Sequence, residues 1–211
     1  MPPTALETLR RELREKFPQA HAARAETGAR NEAVDPFSMD AFPAGAISEV
    51  VCGAAFSGLG LWVSGLLGDP AETSPHPELV LIDGSDAFDP GSFGRNACSR
   101  LLWVRCRAAK EMLKAADLLA RDGNMPFVLL DASGLSRKDL QACPSSAWWR
   151  LKRVVEGNGG RLVVMASFPL VPCAARRLRV AADLTLRDFD APAEELHHRL
   201  RVENELLQRV N

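Results

Sequence analysis

The sequence predicts a three-layer α/β fold: a mostly parallel sheet with helices on both faces. Three observations carry it. The runs ELVLID (78–83), PFVLLD (126–131) and RLVVMA (161–166) are apolar at nearly every position, as strands covered on both faces must be. Amphipathic helical stretches alternate with these runs, which is the order of βαβ units. Residues 43–67, PAGAISEVVCGAAFSGLGLWVSGLL, read in turn as a turn, a buried strand, a glycine-rich loop and a helix.

The bulk numbers set bounds. A chain of 211 residues with 46% apolar content suits one globular domain with short extensions. A net charge of −1 offers no global attraction to nucleic acid or to an anionic membrane, so any such binding must come from local patches. The five cysteines (Cys52, Cys98, Cys106, Cys143, Cys173) form no CxxC pair. They read as reduced, mostly buried thiols of a cytoplasmic protein, with no zinc site. The start, MPPTALETLRRELREKF, is charged and has no apolar signal core. Val50 to Gly68 is uncharged and approaches the ~20 residues that span a bilayer. Its glycines, the flanking Glu49 and Asp69, and the lack of nearby Lys or Arg favour strand, loop and buried helix instead.

The elements follow in order. Thr4 and Glu7 make a capping box for a helix with Leu6, Leu9 and Leu13 on one face, so residues 1–17 read as an amphipathic helix. Residues 18–43 are polar and proline-bearing and read as a linker or a wrapped arm. The core spans 44–190. Strands are expected at 47–52, 78–83, 101–105, 126–131, 161–166 and 182–187. Helices are expected at 59–67, at 108–121 with Gly123 as its stop, and from a Ser145 or Ser146 cap through Val155, closed by the following glycines. Residues 191–211 keep Leu196, Leu200, Leu207 and Val210 on one face and read as a C-terminal helix, although Leu200 and Val202 also suit a strand.

Chemistry concentrates at strand ends. A working phosphate loop is G-x-x-x-x-G-K-[ST]. Here Gly53 and Gly58 keep the glycine spacing, with Ser57 between them. Leu59 replaces the lysine that neutralises the β- and γ-phosphates, and Gly60 replaces the hydroxyl that holds magnesium. Backbone amides there could still attract an anion, but no cofactor is expected. Asp131 ends an apolar strand, where a carboxylate can hold magnesium through water or simply turn the chain. Asp83, Asp86 and Asp89 offer carboxylates for a metal, or for Asx turns and caps. His197 and His198 read as surface residues, and no nucleophile elbow is present.

Local charge is the other signal. Arg150, Lys152, Arg153, Arg161, Arg176, Arg177 and Arg179 face only Glu156 in their stretch, with Trp148 and Trp149 just before them. Arg95 to Lys114 is also basic. Such clusters suit DNA phosphates, an acidic partner or an ordinary solvated face. Arg150, Lys152, Arg153, Arg176, Arg177 and Arg179 are the candidate DNA or partner contacts.

The order of these pieces resembles the RecA-like recombinase core, a fold of the P-loop NTPase type. PAGAISEVVCGAAFSG looks like its strand and phosphate loop, ELVLIDGSDAFDP like its acidic segment, and PFVLLD like its Walker-B strand. WWRLKRVVEGNGGRLVVMASF resembles the next helix and strand, and RVAADLTLR a later one. The resemblance places the water-activating glutamate on Ser85 and the γ-phosphate-sensing glutamine near Ser167, while Asp131 keeps its type. The segments 135–148 and 168–179 are short for the family's two DNA-binding loops.

A shortened core without the ATPase residues is similar to the ImuA and SulA-like branch. That resemblance implies a role in the bacterial DNA-damage (SOS) response. An ImuA-like accessory factor for translesion synthesis and DNA repair is the expected function. Its partners would be a RecA-type recombinase, a translesion polymerase subunit or DNA, with no membrane and with self-association open. The rival readings are a SulA-like cell-division inhibitor and a divergent ATPase that takes its lysine from elsewhere, Arg95 and Arg100 being the first candidates.

Overall fold

The computed structural model describes residues 35–53, 59–68, 78–191, 193–205 and 207. The amphipathic helix expected at 1–17, most of the linker, and Ser57 and Gly58 of the glycine loop lie outside them.

The strands are β1 (Ala46–Val51), β2 (Leu79–Asp83), β3 (Leu101–Arg105), β4 (Phe127–Asp131), β5 (Arg161–Ala166), β6 (Arg176–Ala182) and β7 (Leu200–Glu205). The helices are α1 (Leu59–Leu67), α2 (Arg95–Ser99), α3 (Ala109–Asp122), α4 (Arg137–Gln141), α5 (Ser145–Asn158) and α6 (Ala193–Leu196). One seven-stranded sheet has the order β3-β2-β4-β5-β1-β6-β7. Every pairing is parallel except β6 with β7. The first six strands therefore end on one common edge, where the glycine loop, Asp131 and Ser167 emerge.

The sheet separates two cores. Ile47, Ile82, Leu130 and Val164 point to one face, against Met112 of α3 and Trp148 and Leu151 of α5. Val50, Leu81, Leu129 and Val163 point to the other, against Trp62 and Leu66 of α1 and against Phe42. Alternate residues of β1, β2, β4 and β5 thus enter opposite cores, which is why these strands read as apolar runs. Each fully buried Leu, Val or Phe contributes roughly 1.5–3 kcal/mol. Gly123 and Gly159 end α3 and α5 in the left-handed conformation, and their N–H groups donate to Leu119 and Val155 carbonyls.

Within the stretch 50–68 the described residues include the end of β1 and the nine-residue α1. Among the described residues no helix is long and apolar enough to cross a membrane.

Three expectations are corrected. The sixth strand is Arg176–Ala182, not 182–187. It lies near the sheet's margin and alternates, with Leu178 and Val180 buried and Arg179 exposed, so arginines mask its apolar period. Residues Leu186–Asp190 form a 3-10 turn closed by a Thr185–Asp188 capping box. The C-terminal helix is also replaced: after α6 and a 3-10 turn at His197–Arg199, the chain adds β7 antiparallel to β6. Ladder bonds to an open strand outweigh the helical spacing of the leucines. The cap of α5 is Pro144 without a side-chain bond, and Ser145 already lies in the first turn. The end of the expected linker packs down, with Phe42 fully buried and Trp62 Nε1 donating to the Pro36 carbonyl at 3.0 Å.

Candidate functional site

The glycine loop leaves β1 after the Cys52 N–H donates to the Ala166 carbonyl at 3.0 Å. Gly53 is exposed and α1 begins at Leu59. Leu59 is partly buried and packs on the core that holds Trp62 and Val50. Gly60 is exposed, with nothing within 4 Å of where a Cβ would sit. The first turn of α1 thus carries a partly buried apolar side chain followed by an exposed, bare backbone.

Asp131 ends β4, and its Oδ1 accepts from the Ser133 N–H at 2.8 Å and the Ser133 hydroxyl at 2.6 Å. Burial pushes its pKa up, the two Ser133 bonds pull it back, and the charge of Asp83 adds to the rise. Asp83 is its parallel partner on β2 and is fully buried. Asp83 accepts from the N–H groups of Ser85, Ala87 and Phe88 at 2.8–3.2 Å and from Trp103 Nε1 at 3.3 Å. It is the staple of the turn after β2.

The other two acids of that segment have separate tasks. Asp86 pairs with Arg105 at 2.5 Å, and Asp89 caps the 3-10 turn Pro90–Ser92. Each is held below the usual carboxylate range by these bonds. Among the described residues no group of three potential metal ligands forms. Ser85 lies in the same turn with its hydroxyl buried and without a hydrogen-bond partner, close against Gly134. Ser167 is exposed just beyond β5.

The basic run does not form one patch. Arg177 is nearly buried and pairs with Glu49 at 2.6 Å and Glu205 at 3.4 Å. Arg176 donates to the Ala41 carbonyl, and Arg161 to the Phe42 carbonyl at 2.8 Å. Arg179 pairs with Glu205 at 2.9 Å. These arginines tie the 40–42 segment, β7 and the sheet together. Arg150, Lys152 and Arg153 lie on α5, where Arg150 pairs with Asp117 of α3 and Lys152 with Glu156. Arg100 bonds to Glu78 and the Leu67 carbonyl before the start of β3, at the edge opposite the glycine loop. It is therefore not placed to replace the missing lysine.

Burial raises the pKa of Cys98, Cys106, Cys143 and Cys173, so these thiols stay protonated. Sequence reasoning passes over Glu49, which is 0% exposed and accepts from the Leu170 and Val171 N–H groups. An acid inside the apolar run ISEVV is the signal that marks it.

No protein-family model matches the chain. No curated protein matches it either. Among solved structures it is similar to the crystal structure of the RadB recombinase, with a TM-score of 0.50 and 13% identity. The alignment covers 70% of this chain and 82% of that one. The fold is therefore RecA-like, and at this identity the likeness speaks for the fold alone.

Proposed function

We propose that this RecA-like domain does not hydrolyse ATP and works by binding, as an ImuA-like accessory factor of the bacterial DNA-damage response. The observation that carries the reading is the state of the common strand edge. Leu59 packs on the core where a lysine would reach phosphate, Gly60 lacks the hydroxyl, and Ser133 already holds the Asp131 carboxylate. The residues present do not fit magnesium–ATP in the manner of a phosphate-loop site. A fold kept without that chemistry is a fold kept for its surfaces. The partners would be a RecA-type recombinase or a translesion polymerase subunit, with DNA as a further ligand.

The test is a thermal shift with magnesium–ATP. A ligand that binds the native state at a hundred times its Kd stabilises by about 2.7 kcal/mol. We expect no shift. A clear shift that Asp131→Asn abolishes, accompanied by phosphate release, would overturn the reading.

A further inference from the structure

We propose that the groove between the segments after β4 and β5 docks an acidic peptide segment of a partner protein, anchored by one apolar side chain. This gives the binding role above a partner chemistry, and it rests on that reading.

The groove has a volume of about 260 Å³. Leu140 of α4 and Trp148 of α5 form its floor, and Phe168, Leu170 and Pro172 its far wall. A second recess at Trp149, Arg150 and Arg153 continues from it across Ser145. Trp149 is 48% exposed, one of the few large apolar side chains left in solvent among the described residues. An apolar recess beside an exposed tryptophan and arginines is the composition of a protein-binding hot spot. The wall is also preformed, because Glu49 holds the Leu170 and Val171 N–H groups. A rigid groove loses little entropy when it is filled.

Charge selects the occupant. Arg137 stands on the rim with its guanidinium 4.5 Å over the Phe168 ring. Neither Arg137 nor Arg153 forms an ion pair among the described residues. The nearby acids are engaged: Asp139 by the Ser136 hydroxyl and Glu156 by Lys152. Arg137 at the groove and Arg153 at the adjoining recess are thus two exposed guanidinium groups with no ion pair among the described residues, which complements carboxylates beside an anchor residue.

Nucleic acid fits less well. Bases need open ring faces on which to stack. Here Arg137 covers one face of Phe168, and the Lys152 ammonium lies 5.4 Å from the Trp149 ring centroid. Arg150 and Lys152 are neutralised within the fold, and a phosphate backbone binds through many cations rather than two.

Selection of displayed random peptides on the full chain tests this. Enriched peptides are expected to carry Asp or Glu beside Leu, Ile or Phe. They should lose about ten-fold or more in affinity for the R137E/R153E double variant and for Phe168→Ala, but not for Arg187→Ala. Arg137 and Arg153 are both exposed, so the double variant keeps its thermal midpoint and reads the site even if Phe168→Ala is unstable. Peptides without acidic residues, or binding that the double variant retains, would overturn the docking site. So would tight binding of oligothymidylate that the same variants abolish. The magnesium–ATP measurement does not depend on these residues, so failure of the groove and failure of the non-hydrolysing reading are told apart.

Discussion

Glu49 of β1 and Arg177 of β6 are direct neighbours in the sheet register and form an ion pair inside it, with Nε 2.6 Å from Oε2. The other oxygen of Glu49 accepts from the Leu170 and Val171 N–H groups, and Arg177 reaches on to Glu205 of β7. One carboxylate thus joins β1, β6, and the loop that walls the groove.

Removing Arg177 leaves a fully buried carboxylate without its cation. Arg177→Ala should therefore destabilise by about 3–5 kcal/mol. Glu49→Gln should cost less, because an amide oxygen still accepts from the two N–H groups and Arg177 keeps Glu205. Urea midpoints measure both. Equal costs for the two variants would mean that packing, not charge, dominates.

Gly84 leaves β2 where a Cβ would sit 2.7 Å from the Asp131 carbonyl oxygen and 2.7 Å from Met112 Sδ. Its own N–H donates to that carbonyl at 2.9 Å. The strand ends of β2 and β4 touch here, so a methyl group has to separate them. Gly84→Ala should destabilise by about 1–3 kcal/mol. Gly60→Ala, in open space on a helix, should instead be neutral or stabilising by up to about 1 kcal/mol. A reversed order in thermal unfolding would refute the close approach.

The central strands were legible because burial on both faces writes them as apolar runs, and α1 because Leu59–Leu67 follows a glycine loop. Leu59 and Gly60 stood out in the sequence because the phosphate-loop motif fixes residue types at fixed spacing. β6 and β7 were not. Their pattern alternates, arginines occupy three of the seven positions of β6, and β7 gains its stability from a ladder that no local window contains. The charge run misled for the same reason. Arg176 and Arg177 find the Ala41 carbonyl and Glu49 far away in sequence, so they anchor the fold. Arg137 and Phe168 carried no motif, and only the sheet order brings their segments together.

Asp131 has a pKa raised mainly by burial. The native state therefore holds its proton more tightly than the unfolded chain. Its contribution is fully present below the ordinary carboxylate pKa and is lost as pH rises through the raised folded value. Asp131→Asn has no such loss, and its amide oxygen still accepts from the Ser133 N–H. The stability of the variant relative to wild type should rise as pH increases from about 4 to 7. Urea unfolding at several pH values measures this. A wild-type advantage that grows over the same range would refute a raised pKa.

The double substitution L59K/G60T puts back the two missing groups of the phosphate loop. Leu59 is partly buried against the Trp62 core, so L59K should cost about 1–2 kcal/mol of stability. A lysine stem can still lie along that apolar surface and carry its ammonium outward. The double variant is expected to gain a thermal shift with magnesium–ATP that the wild type lacks. It should release no phosphate, because Ser85 stands where the resemblance places the water-activating glutamate and its buried hydroxyl faces Gly134. Turnover by the double variant would show that Leu59 and Gly60 alone silence the site. Without a shift, the damage extends beyond those two positions.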